Sequence, residues 1–252
     1  MHHLKCFGRE MNQREIGNRI NLICISHAGG TSSCFYKWKQ YLEDNINLIP
    51  IELRGRGRRL DEPLYQTMDE AIVDIFEQIR PIIKNGRYVL LGHSMGSCIV
   101  YGVAQMIIRQ QYSRPEHIVL SSAIPPKCKT RCKTIHDADI AILRREILKL
   151  GGTPREVFDN TDLASMFIPV IRADYKILET FHATELPILE CDLSVFYGRR
   201  EDETILEKIT LWDSYTKKQC RYYQFSGDHF YLFNESIRQV VETLNLICSS
   251  LV

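Results

Sequence analysis

No segment of this 252-residue chain approaches the ~18 consecutive apolar residues that a membrane-spanning helix requires, so no such span is expected. Neither sign of charge prevails. Lys and Arg number 32 against 31 Asp and Glu, which leaves no electrostatic basis for gripping nucleic acid or an anionic membrane. The opening MHHLKCFGRE lacks the apolar run of a signal peptide, which predicts a cytoplasmic protein. Cys248, in the terminal CSSLV, lies one residue too far from the end for prenylation. There is no internal repeat and no low-complexity linker. The length suits one α/β domain and is too short for two, so residues 1–252 read as a single domain.

A disulfide framework is also missing. The nine cysteines are odd in number and scattered, and Cys24 and Cys98 sit in strongly apolar runs. That usage fits reduced thiols. The spacing Cys128-x3-Cys132-x3-His136 offers only three ligands in the Lys-rich KCKTRCK and matches no common zinc pattern. It reads as loop cysteines, and no metal or cofactor is expected.

What is present is an alternation of short apolar runs and helical periods. Strands are predicted at 20–26, 46–53, 88–91 and 117–122. Helices are predicted at 32–43, with Phe35, Trp38, Tyr41 and Leu42 on one face, and at 68–84, with Ile72, Ile75, Phe76 and Ile79 buried. Thr67 and Glu70 have capping-box spacing at the start of the second. Strands alternating with helices predict an α/β fold with a mostly parallel central sheet flanked by helices. Residues 128–186 break the pattern and read as two or three helices. One carries Leu143, Ile147 and Leu150 and stops at Gly151-Gly152. The next starts at Thr153-Pro154, with Glu156 completing a capping box. Strands return at 193–197 and 221–225, and a last helix runs from Glu235 to Ile247 with Asn234 as its cap. A helical insertion placed this late in an α/β sheet is expected to form a lid.

The sharpest local signal is GHSMG, residues 92–96, a G-x-S-x-G nucleophile elbow. A tight strand-to-helix turn lifts the Ser94 hydroxyl above the strand ends and needs small residues on either side. It aims the Met95 N–H at the oxyanion, beside the positive end of the following helix. The apolar YVLL before it and SCIVYGVAQMII after it supply the required strand and helix. His93, inside the elbow, points away and reads as structural.

In this fold the acid and the base follow the serine in that order. His229, in SGDHFYL after the strand at 221–225, is the expected general base. The other histidines fit less well: His117 opens a strand, His136 and His182 lie in the insertion, and His2 and His3 are terminal. Asp202, in the loop after LSVFYG, is the expected acid that holds the imidazole tautomer. Glu201 and Glu203 stand close enough to compete with it, while Asp228 is too near His229 in sequence to reach round. The second oxyanion donor is expected in ISHAGG, 25–30, from the Ala28 N–H with Gly29 as the alternative, because small residues allow close backbone approach. His27 precedes the nucleophile in the chain, the wrong order for the base, and reads as a pocket-wall residue.

HAGG at 27–30, RGRGRRLDEP at 54–63, GHSMG at 92–96, LGGTPREV at 150–157, IRADYKILE at 171–179, YGRREDE at 197–203 and GDHFYL at 227–232 occur in order along nearly the whole chain. In these motifs the sequence resembles the type II, or external, thioesterases of nonribosomal peptide and polyketide synthases, on the α/β-hydrolase fold. The resemblance implies Ser94 as nucleophile, Asp202 as acid, His229 as base, and Met95 and the Ala28 loop as oxyanion donors. It implies hydrolysis of mis-primed or stalled acyl groups from the phosphopantetheine arm of carrier proteins in antibiotic or siderophore pathways, by a cytoplasmic monomer. The arm belongs to the substrate, so the enzyme needs no cofactor. Relatives that release medium-chain fatty acids from fatty acid synthase form the alternative. The sequence departs from the family at Arg54, where Pro is common, and at Ser97 and Cys98 after the elbow. Arg56, Arg58, Arg59, Arg199 and Arg200 read as solvated charge, with docking of an acidic carrier protein as the second reading. A small-molecule carboxylesterase, an acyltransferase and a non-catalytic binding protein are the rivals on the same fold.

Overall fold

In the computed structural model, which describes residues 19–84, 86–126, 134–181 and 188–251, the apolar runs become six strands. These are β1 (Ile20–Ile25), β2 (Ile46–Ile51), β3 (Arg87–His93), β4 (His117–Ser121), β5 (Asp192–Gly198) and β6 (Cys220–Phe225). They form one sheet in the order β2-β1-β3-β4-β5-β6. Every neighbouring pair is parallel.

A parallel sheet of this kind is buried on both faces, and strand side chains alternate between them. Ile23, Ile25 and Leu90 join one core with the buried stripes of α1 (Met68–Ile83) and α2 (Met95–Arg109). Ile20, Leu22, Cys24, Val89 and Leu91 join the other, closed by α7 (Ile237–Ser249) and by Phe35 and Trp38 of the 3₁₀ helix Ser32–Gln40. That segment has the predicted inward face but the tighter winding. Thr67 accepts from the Glu70 N–H at 3.1 Å and starts α1 as its spacing predicts. The Glu70 carboxylate closes back one residue early, onto the Gln66 N–H at 2.8 Å.

Between β4 and β5 the chain forms α3 (Ile140–Leu150), the short α4 (Glu156–Asp159) and α5 (Thr161–Thr180). α3 ends at Gly151, whose φ of 87° only glycine adopts cheaply. The capping box expected at Thr153 does not form. The working cap is Asn160, whose side chain accepts from Asp162 and Leu163 and starts α5. The last helix likewise begins later than expected, with Ser236 rather than Asn234 at its N-cap. Leu143, Ile147, Val157 and Ile171 give α3 to α5 a small apolar core of their own. Of the cysteine–histidine spacing, Cys128 and Cys132 lie outside the described residues, as do His2, His3 and His182. His136 is hydrogen-bonded through Nδ1 to Glu179 of α5 at 2.5 Å.

The strand order reverses between β1 and β3, because β2 is added on one side of β1 and β3 to β6 on the other. The loops leaving the carboxyl ends of the strands diverge there. Open parallel sheets carry their ligand sites in that crevice.

Candidate active site

The elbow is built by close packing of backbone on backbone. A Cβ at Gly92 would lie 2.2 Å from the Gly96 carbonyl oxygen, and one at Gly96 would lie 2.2 Å from that of Ile25. Only glycine fits either place. The turn drives Ser94 to φ 54° and ψ −116°, a conformation costing about 1–3 kcal/mol that the surroundings must hold. The Ser94 N–H donates to the Ser121 carbonyl at 2.8 Å. Ser97 adds a second brace, since its hydroxyl donates to the Gly92 carbonyl at 2.7 Å and accepts from the Ser121 N–H at 3.0 Å. The hydroxyl at this departure from the family thus holds the elbow. Ser94 remains partly exposed at the start of α2, and the Met95 N–H lies in the first turn of that helix.

His229 follows β6 in a loop anchored by Trp38, whose Nε1 donates to the Leu232 carbonyl at 3.1 Å. The imidazole is buried and packs against His93, with ring centroids 5.1 Å apart. Its Nδ1 lies 2.8 Å from Glu201 Oε1. The carboxylate beside the base is therefore Glu201 and not Asp202. After β5, Arg199 and Arg200 still donate their N–H groups to the Phe225 and Gly227 carbonyls, at 2.7 and 2.8 Å. The chain turns only then, with the Glu201 N–H donating to the Gly198 carbonyl. That turn sends the Glu201 side chain inward, 1% exposed, and leaves the Asp202 side chain 40% exposed. Asp202 instead caps α6 (Glu203–Lys208), accepting from the Thr204 N–H at 3.0 Å. It reaches the site through its backbone, whose N–H donates to Glu201 Oε1 at 3.2 Å. Glu203 is exposed in the first turn of α6. The sequence does carry a signal for this: Asp immediately before the helical ETILEK is a favoured N-cap, so its side chain is already engaged.

Burial alone raises the Glu201 carboxyl, but the hydrogen bond and charge of His229 outweigh it and hold it below the usual carboxylate range, with Ser122 and the Asp202 N–H adding to the pull. It is an anion beside the imidazole at neutral pH, suited to orient the ring and to stabilise an imidazolium. His93, at the second position of the elbow, bonds through Nδ1 to the Ser121 hydroxyl at 3.0 Å, which in turn meets the Tyr231 hydroxyl at 2.7 Å. Burial holds its pKa well below the ordinary value. His27 packs edge-on against Phe230, with ring centroids 4.7 Å apart. Burial first, then the charges of His229 and Arg56, lower its pKa to about 3.

This sets a pH dependence of stability. Below pH 6.5 the unfolded chain protonates His27 and the folded protein refuses that proton until about pH 3. Stability therefore falls as pH drops through this window, by up to about 1.4 kcal/mol per pH unit for one proton. His27→Phe, which keeps a ring in the aromatic setting, is expected to flatten the acid limb of the urea midpoint plotted against pH between 6.5 and 4. An unchanged slope would show that His27 is not the residue responsible.

The loop after β1 carries the other oxyanion candidate. Gly29, at φ 77°, donates its N–H to Asp174 Oδ2 of α5 at 2.7 Å. Gly30 donates to the His27 carbonyl at 3.0 Å. The alternative donor, Gly29, is thus already engaged, while the Ala28 N–H makes no hydrogen bond among the described residues. Asp174 is gripped by both terminal nitrogens of Arg56, at 2.5 and 2.7 Å. The Arg56 side chain is 4% exposed and that of Asp174 is 2%, so both readings of Arg56 as surface charge are corrected. Arg59 is likewise engaged, with Glu62 and Asp74. Arg54 joins it, with Nε 3.1 Å from Asp74 Oδ1. Arg200 pairs with Glu235 at 2.7 Å, and Arg58 and Arg199 are exposed. Breaking one side of a buried pair such as Arg56–Asp174 costs about 3–5 kcal/mol.

A family model described as the thioesterase domain matches residues 20–248. The gramicidin S biosynthesis protein GrsT of Aneurinibacillus migulanus is 28% identical over 224 residues, covering 89% of this chain and 87% of that one. The medium-chain S-acyl fatty acid synthase thioesterase of Homo sapiens is 29% identical over 233 residues, covering 91% and 87%. Among solved structures, ClbQ from the colibactin NRPS/PKS pathway matches with a TM-score of 0.86 at 31% identity, over 92% of this chain and 98% of that one.

Proposed function

The chain belongs to the thioesterase domain family, and from that premise we propose that it is a type II thioesterase clearing acyl groups from the phosphopantetheine arm of carrier proteins in a nonribosomal peptide or polyketide pathway, with Ser94, His229 and Glu201 as its triad. The observation that carries this reading is the Glu201–His229 pair at 2.8 Å, in loops at the same carboxyl end of the strands as the strained Ser94. The kinship to GrsT and to ClbQ supplies the pathway class.

The chemistry follows from the parts. His229 takes the Ser94 proton as the hydroxyl attacks the thioester carbonyl. The N–H groups of Met95 and Ala28 receive the oxyanion. The intermediate collapses by breaking the C–S bond, and the departing thiolate takes up a proton. A thiolate leaves readily, so oxyanion binding and the base carry most of the catalysis. Water, deprotonated by His229, then attacks the acyl-Ser94 ester; the bond between the acyl carbon and Ser94 Oγ breaks, His229 returns the proton to Oγ and the carboxylic acid departs. Every proton is carried by the imidazole, so no cofactor of the enzyme enters the cycle.

The helices α3 to α5 act as the lid in this proposal. Support comes from their contacts with both catalytic loops: Gly152 packs against the Phe230 ring and Ile171 against Gly29. Tethering α3 to α5 by a crosslink tests the lid, which predicts an altered preference for acyl chain length.

The test of function is incubation of the purified protein with acyl carrier proteins bearing short and medium chains, followed by intact mass. Loss of the acyl group is the expected result. Turnover of oxygen esters without turnover of any carrier thioester would overturn the proposal in favour of a carboxylesterase. Transfer to an added amine or alcohol would point to an acyltransferase. The 29% identity to the human enzyme favours one second reading, release of medium-chain acids from fatty acid synthase. A sharp preference for medium over short chains would select it.

A further inference from the structure

Three separated stretches of sequence meet at one buried point. Gly29 comes from the loop after β1, Arg56 from the loop after β2 and Asp174 from the middle of α5. One carboxylate does two things there. Oδ2 accepts from both the Gly29 N–H and the guanidinium, while Oδ1 takes the second arm of Arg56. Arg56 also donates to the Gly30 carbonyl at 3.4 Å and to the Arg54 carbonyl at 3.2 Å. The oxyanion loop is therefore held at two successive residues by a pair that a helix of the insertion completes. The two-point fork of arginine fixes the carboxylate in direction as well as in place.

We propose that Arg56 and Asp174 are positioning residues for the oxyanion hole. By engaging the Gly29 N–H, Asp174 fixes the Ala28–Gly29 peptide and leaves the N–H of Ala28 as the donor to the substrate oxygen. Arg56 holds Asp174 in the one orientation that does this. Neither residue touches substrate. Because Asp174 belongs to α5, the hole is complete only while that helix is seated, with Ile171 one turn earlier packed on Gly29. This inference rests on the Ser94 thioesterase reading and adds to it which groups set the geometry of the hole.

Stability and positioning are separated by a double variant, Arg56→Met with Asp174→Leu. It replaces the pair with apolar side chains of similar bulk, an exchange that buried ion pairs often tolerate without loss of stability, and it removes the acceptor from Gly29. The expected result is a melting temperature near the native one, an unchanged KM for an acyl carrier protein and a kcat lower by about 100-fold. Affinity for a trifluoromethyl ketone, which adds to Ser94 as a tetrahedral oxyanion, should fall by the same factor. Arg56→Lys keeps a cation beside Asp174 and loses the fork. It is expected to lower kcat about 10-fold at unchanged KM, and it decides the matter alone if the double variant does not fold. Native kcat and native ketone affinity in the folded variants would overturn the proposal and leave the pair a purely structural one. Ser94→Ala run alongside separates the two ideas. If that control hydrolyses carrier thioesters, the serine mechanism itself fails. If it is inactive while the pair variants keep native rates, only the positioning role fails.

Discussion

Glu201→Gln is expected to lower kcat about 10⁴-fold, whereas Asp202→Asn, one residue later, should leave it within about threefold. The two side chains differ in what they touch. Glu201 is buried and lies 2.8 Å from His229 Nδ1. An amide there cannot stabilise the imidazolium, and its NH2 group favours the tautomer that no longer accepts the Ser94 proton. Asp202 faces outward and accepts from the Thr204 N–H, so its loss falls on α6. Asp202→Ala should cost about 1 kcal/mol of stability and lower the melting temperature by about 2–4 °C. Steady-state kinetics and thermal unfolding of the two single variants give the answer together. A large kcat loss in the Asp202 variant with a native-like Glu201 variant would return the acid's role to Asp202.

Ser94→Ala is expected to be the most damaging single change, lowering kcat about 10⁶-fold. Without the hydroxyl there is no acyl-enzyme, and what persists comes from the oxyanion donors and substrate binding alone. The double variant Ser94→Ala with His229→Ala should be no slower than either single one, because nucleophile and base act as a unit. Additive losses would mean that His229 has a catalytic role independent of Ser94. Fold is not at stake in this test. Alanine keeps a Cβ at the strained position, and the flanking Gly92 and Gly96, which have no room for one, are untouched. The melting temperature of Ser94→Ala is expected to equal or exceed the native value, since the backbone constraint remains and no buried partner is lost.

The architecture was legible because it rests on local pattern. Short continuous apolar runs mark strands buried on both faces, and the stripe of Ile72, Ile75, Phe76 and Ile79 marks α1. Two helix starts and one winding differ from expectation: α4 and α7 begin later, and Ser32–Gln40 is a 3₁₀ helix. At both starts the expected cap gives way to a residue further along the chain, Arg155 for α4 and Ser236 for α7. The side-chain cap within the insertion is made further on, by Asn160 at the start of α5.

The sequence by itself determined that a serine stands in an elbow, because the crowding that demands Gly92 and Gly96 is a matter of residues two apart. It also pointed to His229 as the expected base and to Asp202, with Glu201 and Glu203 as competitors, as the expected acid. Which carboxylate stands beside His229 depends on how far the chain beyond β5 stays paired before it turns. Two further backbone hydrogen bonds, from Arg199 and Arg200, set that distance and rotate Glu201 inward and Asp202 outward. The same limit hid the Arg56–Asp174 pair. Its members stand far apart in the chain and look like ordinary surface charges until α5 folds over the loop after β1. Local spacing encodes short-range sterics. The partner of a buried charge is a long-range fact, fixed only when the elements that carry the two charges are packed together.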